Sequence, residues 1–247
     1  MELAEDARRR LEELEVARVI AGAPLAAAWV EGRPCDHDGY LELLAAVPGV
    51  LGELHAIRPS RRAAIVRHTL RTSVGMAGFV SSGTEDGSLR LGTLADLRHY
   101  CYIVAGIVGE LLTELFLDFS PSLERSRQVL LDRAAAFGEG LQLVNILKDA
   151  DSDAHHGRVY LPPGLDRGEI LALARAELDA ATEYVHALQS GGAPRGVVGF
   201  TALPVLLARA TLDRVEHYGA GSSISRSDVA ALMGRLHQSL ETGSPCL

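Results

Sequence analysis

Residues 141–162 read LQLVNILKDADSDAHHGRVYLP, and this stretch carries most of the information about fold and chemistry. Apolar residues recur at helical spacing in its first half, at Leu141, Val144 and Leu147. The pattern breaks at Gly157, which is followed by two prolines. The stretch therefore predicts a helix with one apolar face that ends in a turn.

Four polar residues, Gln142, Asn145, Asp149 and Asp153, follow one flank of this predicted helix. Residues four apart on a helix have Cβ atoms about 5–6 Å from each other. The two carboxylates would therefore repel unless a cation lay between them. Oxygen ligands of this kind suit Mg²⁺, which commonly binds one or two carboxylates together with substrate phosphates. A solvated acidic helix end is the alternative interpretation.

Other metals fit this segment poorly. The D-x-D-x-D spacing of residues 149–153 resembles the start of a calcium-binding loop, but such a loop needs glycine at its sixth position and glutamate at its twelfth. This chain has Ala154 and Tyr160 there. His155 and His156 have no further histidine or cysteine at the spacing of zinc ligands. Mg²⁺ is the metal that the segment predicts.

The composition favours helices throughout. The 247 residues are 47% hydrophobic but only 5% aromatic, with alanine and leucine dominant, and no linker divides them, so we expect one all-α domain over residues 1–247. The net charge of −8 argues against a nucleic-acid-binding surface. Helices are predicted at 2–22, 39–56, 60–80, 93–118, 123–152, 166–189, 197–218 and 226–241.

The cysteines and the apolar runs bear on location. Cys35, Cys101 and Cys246 fall at no metal-ligand spacing, and Cys101 is expected to be a small buried thiol. A reducing cytoplasm fits this usage. The chain shows no signal peptide and no apolar run near the roughly 18 residues of a membrane span. We expect no transmembrane anchor, while peripheral membrane contact stays open.

The helix predicted at 93–118 carries two glycines in its interior, Gly106 and Gly109. Each costs up to about 1 kcal/mol relative to alanine in a helix interior. Such glycines usually mark the close approach of another backbone or of a ligand. Tyr100 precedes them, and a lone tyrosine there is usually a core residue with a bonded hydroxyl.

Two blocks of sequence resemble the squalene/phytoene synthase family. Residues 142–162, with Q-x-x-N-I-L-K-D-x-x-x-D followed by G-R-x-Y-L-P, are similar to that family's second aspartate-rich motif. Residues 96–116, DLRHYCYIVAGIVGELLTELF, are similar to its Tyr-Cys-x-x-Val-Ala-Gly-x-Val-Gly helix. Weaker matches are Gly75-Met76-Ala77 and Ser225-Arg226, and the resemblance runs from about residue 40 to about residue 235.

The resemblance implies a helical bundle around a central cavity. Family members join two allylic prenyl diphosphates, here farnesyl diphosphate by preference, head to head through a cyclopropyl intermediate with Mg²⁺ as cofactor. NADPH use stays open, because the chain has no glycine-rich dinucleotide loop. By resemblance, Asp149 and Asp153 bind Mg²⁺, Gln142 and Asn145 contact the diphosphate or a metal-bound water, Arg158 clamps phosphate oxygens, Tyr100 handles a proton or steadies a cation, and Tyr160 and Met76 line the cavity.

One part of the family pattern is missing. The first aspartate-rich motif, D-x-x-x-D on an early helix, has no confident counterpart. The nearest acidic residues, Glu2, Glu5 and Asp6, lie in a segment whose charge spacing is typical of a solvated helix. Asp36 and Asp38 precede a predicted helix and are better interpreted as an N-cap.

The missing motif leaves three hypotheses for the function. The first is a Mg²⁺-dependent prenyl transferase that needs a partner to complete its site, and the second is a non-catalytic subunit that binds a prenyl diphosphate or a protein. The third is a terpene cyclase on the same scaffold. A shortened bundle would expose apolar surface around Val104, Val108 and Val144, so we expect a homo-oligomer or a complementary subunit.

Overall fold

The computed structural model describes residues 23–33, 36–81 and 88–247, and it divides the chain into two compact units between Leu70 and Arg71. The predicted helix at 2–22 lies outside the described residues, and the expectation of a single domain stays a prediction. The helices are α1 (Ala23–Gly32), α2 (Asp38–Ala56), α3 (Pro59–Ser81), α4 (Leu94–Cys101), α5 (Ile107–Phe119), α6 (Arg127–His155), α7 (Arg167–Ser190), α8 (Arg195–Tyr218) and α9 (Arg226–Thr242).

The first unit contains α1, α2 and the start of α3. Its N-cap at α2 is His37, whose ring Nδ1 accepts a hydrogen bond of 3.2 Å from the backbone N–H of Tyr40. The predicted cap therefore lies in the expected segment. It is formed by the histidine between the two aspartates, and Asp38 is the first helical residue.

The second unit is built around α6, which packs against α5, α7 and α8. Two clusters of buried side chains line this helix. One surrounds its C-terminal half at Leu143, Val144 and Leu147, and the other surrounds its N-terminal half at Leu130 and Phe137. The helix that carries the aspartates therefore passes through both buried clusters of the unit.

The helix predicted at 93–118 contains a change of hydrogen-bond pattern in its middle. Residues Tyr102–Gly106 form a π turn, in which the backbone N–H of Ile107 donates to the carbonyl of Tyr102, five residues earlier. A π turn is often found at a functional site. Here it separates α4 from α5 and shifts the face that α5 presents to the core.

Gly109 marks the close approach of another backbone, as predicted, whereas a Cβ on Gly106 would meet the side chains of Tyr102 and Glu139. A Cβ on Gly109 would collide with the carbonyl oxygen of Ala134 on α6. A Cβ on Gly138 of α6 would likewise collide with the carbonyl oxygen of Ala105. The backbones of the two segments are therefore in direct contact, and only glycine fits at these positions.

Among the described residues, the only strands are β1 (Leu89–Arg90) and β2 (Arg158–Val159), which form a parallel pair. Leu89 N–H donates to the carbonyl of Gly157, and Leu91 N–H donates to that of Val159, each over 3.0 Å. Gly157 has a φ of +74°, which favours glycine, so the turn after α6 lies where the sequence predicts it. The pair ties that turn to the segment before α4.

Two helical stretches, Leu94–Phe119 and Arg195–Tyr218, are long and apolar enough to cross a membrane, which differs from the expectation based on uninterrupted apolar runs. Length and composition are weak evidence for a span, because the core helices of other proteins share both. These stretches pack against α6 and α7, and 39% and 33% of their most apolar windows are buried.

Candidate functional site

The C-terminal part of α6 carries the two predicted metal ligands. Asp149 and Asp153 lie one turn apart on this helix, and both are half-buried. The Asp149 side chain is 45% exposed, and its Oδ2 lies 3.2 Å from Nζ of Lys148. The helix is also held from outside, since Gly221 N–H donates to the carbonyl of Lys148 over 2.7 Å. The two aspartates therefore lie on a helix that is anchored by packing and by this hydrogen bond, and their carboxylates are accessible to solvent.

The chemistry of these donors fits Mg²⁺. Within the described part of the chain, no group of three or more histidine, cysteine, aspartate or glutamate side chains could hold a metal alone. A pair of carboxylates is, however, the protein share that Mg²⁺ commonly accepts when substrate phosphates complete its shell. Lys148 contacts one of these carboxylates, that of Asp149, and a divalent ion would compete with this contact.

Gln142 and Asn145 border an apolar cavity of about 230 Å³. Asn145 is exposed and Gln142 is half-buried, and both precede Asp149 on the same flank of α6. The helix therefore leads from the cavity, past two amides, to the two carboxylates. The remaining walls are apolar or glycine: Val104, Ala105, Val108, Gly109, Leu112, Phe137, Gly138, Leu141, Phe200 and Pro204.

Tyr100 and Tyr160 face each other in the adjoining core. Their hydroxyl oxygens are 3.2 Å apart, with Tyr100 donating, and their ring centres are 4.8 Å apart. Phe79 packs edge-on against Tyr100 at 5.2 Å, and Met76 joins the same cluster. The β1–β2 pair brings Tyr160 to this place, because it fixes the chain directly before it.

Burial raises the pKa of the Tyr100 hydroxyl, and the hydrogen bond to Tyr160 raises this pKa further. The positive charge of Arg158 acts in the opposite direction. Arg158 is exposed, and no described residue forms a hydrogen bond or ion pair with its side chain. Tyr100 is therefore a neutral phenol, and Arg158 has a guanidinium available for an anion.

The structure brings the predicted site residues into two neighbouring groups on the second unit. Gln142, Asn145, Asp149 and Asp153 share α6, while Met76, Tyr100 and Tyr160 share one buried cluster. The predicted exposure is confirmed for Val108, which is 43% exposed in the cavity wall, while Val104 in the same wall is half-buried. The prediction for Val144 is wrong, because its side chain faces the core and is 3% exposed.

Sequence reasoning missed Phe79, Phe200 and Pro204. Phe79 lies beside Tyr100, and the other two form the far wall of the cavity from α8. Pro204 gave a usable signal, since proline inside a helix usually has a structural reason. Phe200 is 58% exposed, and nothing in its local sequence distinguishes it from an ordinary surface residue.

A half-buried glutamate, Glu139, lies on α6 three residues before Gln142. Burial and the neighbouring charge of Glu177 raise the pKa of Glu139 from 4.5 to about 7, while Arg98 opposes the shift and Glu110 adds to it. Arg98 itself contacts Glu177 at 3.4 Å. Cys101 is 0% exposed, so the predicted buried thiol is confirmed. Burial raises the pKa of this thiol, and the charges of Glu139 and Glu177 raise it further.

The raised pKa makes the stability of the fold depend on pH. The folded state holds a proton on Glu139 that the unfolded state releases, so stability falls as pH rises from about 4.5 to about 7. We expect Glu139→Gln to remove this loss and to gain about 1 kcal/mol over the wild type across that range, a value reduced for solvent screening. Urea unfolding at pH 4.5 and pH 7.5 measures it. A constant difference between the two proteins would contradict the assignment.

Comparison with known proteins agrees with the motifs. Residues 5–164 match the squalene/phytoene synthase family. A squalene synthase of Cochliobolus lunatus is 28% identical over 199 residues, which is 70% of this chain and 45% of the relative. A phytoene synthase of Thermus thermophilus is 40% identical over 84 residues, 34% of this chain and 26% of the relative. The chain thus spans less than half the length of these curated relatives.

A solved structure of TcSQS with the ligand BPH1237 shares the fold. It aligns with a TM-score of 0.64 and 23% identity, covering 92% of this chain and 75% of the other. The all-α helical bundle predicted from the sequence is therefore confirmed, as is the family predicted from the two motif blocks. The motifs, the fold and the match over residues 5–164 together show that the chain belongs to the squalene/phytoene synthase family.

Proposed function

We propose that this chain carries the metal- and diphosphate-binding side of a prenyl transferase that joins two allylic prenyl diphosphates head to head, with farnesyl diphosphate as the favoured substrate. One observation supports this most. A single helix, α6, presents two carboxylates and two amides in a row that ends at an apolar cavity. An allylic diphosphate likewise has a polar end, the diphosphate, and an apolar end, the prenyl chain.

The residues of this row divide the work. Asp149 and Asp153 would hold Mg²⁺, which when bound would offset the charge of the departing diphosphate. Asn145 and Gln142 would donate their amide N–H groups to diphosphate oxygens at the mouth of the cavity. Arg158, with its unengaged guanidinium, would clamp further oxygens, since its planar fork matches phosphate.

The buried cluster and the cavity would act on the prenyl chain. The cavity walls offer no hydrogen-bonding side chain besides the two amides, so they would shield an allylic cation from water. Tyr100 would stay protonated at neutral pH because of its burial, and its hydroxyl is oriented by Tyr160. It could therefore turn its hydroxyl oxygen to a cation without becoming a nucleophilic phenolate.

A second candidate is a subunit that binds the diphosphate without turnover, alone or with a complementary chain or second copy. The exposure of Val108 and Phe200 at the cavity favours it, because an apolar wall open to solvent usually marks an interface. The cytoplasmic location predicted from the cysteines, and any use of NADPH, stay predictions under both candidates.

The purified chain should release diphosphate from farnesyl diphosphate with Mg²⁺, and gas chromatography should find a product with two joined prenyl chains, with or without NADPH. EDTA should stop the release, since the carboxylates alone repel the substrate. Mg²⁺-dependent binding of farnesyl thiodiphosphate without release from the natural substrate would favour the second candidate, and a cyclic product from one substrate would indicate a cyclase. A lack of any Mg²⁺-dependent binding would contradict all three.

Light scattering at micromolar concentration tests self-association, and a monodisperse monomer would count against it.

A further inference from the structure

A second concave surface lies between α8 and α9. It is a groove of about 480 Å³, within the 300–1,000 Å³ or so typical of small-molecule sites, and it shares no lining residue with the apolar cavity. Ala210, Ala231 and Leu232 give it an apolar floor. None of the residues that the family resemblance assigns to the reaction lines it, so the reaction leaves this groove unexplained.

The carboxylates in the groove already have hydrogen-bond donors. Asp213 accepts a hydrogen bond of 3.1 Å from Arg175 on α7. Asp228 closes the capping box of α9, where its Oδ2 accepts from the backbone N–H of Ser225 at 3.0 Å and from the Ser225 hydroxyl at 2.7 Å. These hydrogen bonds lower the pKa of Asp228, so it remains ionised and bound to its cap. Both carboxylates therefore already have hydrogen-bond donors within the protein.

The cations of the groove are less engaged. Among the residues that the structure describes, none forms a hydrogen bond or an ion pair with Arg235. The guanidinium carbon of Arg214 lies 4.9 Å from the centre of the Tyr218 ring, which orders the side chain without using its N–H donors. The positive charge of Arg214 also lowers the pKa of Asp228, by less than the hydrogen bonds from Ser225 do. His217 lies beside them in the lining.

We propose that the groove between α8 and α9 is a second binding site, for an organic phosphate whose phosphate group is held by Arg214 and Arg235 and whose apolar part lies along the floor. Two guanidinium groups with open donors match the tetrahedral oxygens of a phosphate and bind them at two points. The exposed Tyr218 ring extends the apolar floor at one edge. Such a phosphate comes either from a soluble ester or from the head group of a membrane lipid.

The test measures the binding of phenyl phosphate to the intact chain by ³¹P NMR titration in the presence of EDTA. We expect saturable binding that weakens by at least about tenfold in the double variant Arg214→Gln/Arg235→Gln, a loss of about 1.4 kcal/mol. Arg125→Gln, which removes an exposed guanidinium from the 3₁₀ turn Pro121–Ser126, is the matched control and should bind as the wild type does. Both groove arginines are exposed, so circular dichroism should show an unchanged fold.

A second arm separates the two sources of phosphate. Sedimentation with phosphatidylcholine vesicles, with and without phosphatidic acid, measures binding to a lipid head group. Loss of phenyl phosphate binding or of vesicle binding in the double variant, but not in Arg125→Gln, supports the groove. Which of the two bindings is lost identifies the source of the phosphate. Equal binding by the double variant and the wild type in both arms would overturn the proposal, as would an equal loss in Arg125→Gln.

The groove is also distinguishable from the metal site. EDTA removes Mg²⁺, and the groove contains no residue of the aspartate-rich helix. Phenyl phosphate should therefore bind equally well to the variant Asp149→Asn/Asp153→Asn. Loss of binding in that variant would assign the phosphate to the proposed prenyl-transferase site and would reject the groove, whatever the outcome for turnover.

Discussion

Replacing Gly138 by alanine should lower the free energy of unfolding by about 3 kcal/mol, the upper end of the usual cost of overpacking. The reason is geometric. A Cβ at this position would overlap the carbonyl carbon and oxygen of Ala105, and backbone atoms cannot rotate away as the end of a side chain can. The contact is reciprocal, because Gly109 faces the carbonyl of Ala134 in the same way. To admit one methyl group, α6 would have to move away from the π turn and α5.

The measurement is urea unfolding followed by circular dichroism, with a thermal midpoint expected to fall by about 6–12 °C. Gly234→Ala is the matched control, since nothing lies within 4 Å of the Cβ it would add in the middle of α9. There the usual helical preference should hold, with a gain of up to about 1 kcal/mol. Similar gains in both variants would show that the two helices do not touch through these glycines.

The same contact shows what the sequence could and could not reveal. Gly106 and Gly109 predict a close approach because glycine is costly inside a helix, but the partner on α6 is unknown until the fold brings Gly138 opposite. The capping box at Ser225 and Asp228 was predictable to the residue, because it depends on two side chains three positions apart and on nothing else. Local chemistry of this kind survives any tertiary arrangement.

Features that depend on distant residues were not predictable in this way. The π turn at Tyr102–Gly106 adds one residue to a turn and hardly alters the apolar periodicity. The β1–β2 pair joins segments almost seventy residues apart through backbone groups, so side-chain patterns carry no record of it. Val108 and Val144 look alike in the sequence, yet the first lines an open cavity and the second is in the core.

The candidate site shows the same division. Its α6 part was readable, since helical spacing alone puts Gln142, Asn145, Asp149 and Asp153 on one flank. Its far wall was not, since Phe200 and Pro204 come from α8 and meet the site only through packing. The Tyr100–Tyr160 contact lies between these cases. The family resemblance named both residues, and the structure supplied the hydrogen bond that joins them.

The double variant Asp149→Asn/Asp153→Asn should reduce Mg²⁺-dependent release of diphosphate from farnesyl diphosphate by at least about a hundredfold. Asparagine keeps the shape of each side chain but removes the negative charge that would hold the cation. Both residues are half-buried at the end of a well-packed helix, and Asp149 is nearly half exposed, so the fold should tolerate the change. A hundredfold loss corresponds to about 2.7 kcal/mol, within the range expected for two metal ligands.

The control for this variant is Asp151→Asn, on the same turn of α6. Its carboxylate is exposed and lies between the two proposed ligands in sequence, so it tests loss of charge near the site without loss of a ligand. A readout independent of turnover is the binding of Mn²⁺ with inorganic pyrophosphate, followed by electron paramagnetic resonance. The double variant should lose this binding, while Asp151→Asn keeps it. If all three proteins bound Mn²⁺ alike, α6 would be an ordinary solvated acidic helix end and the metal site would have to be sought elsewhere in the chain.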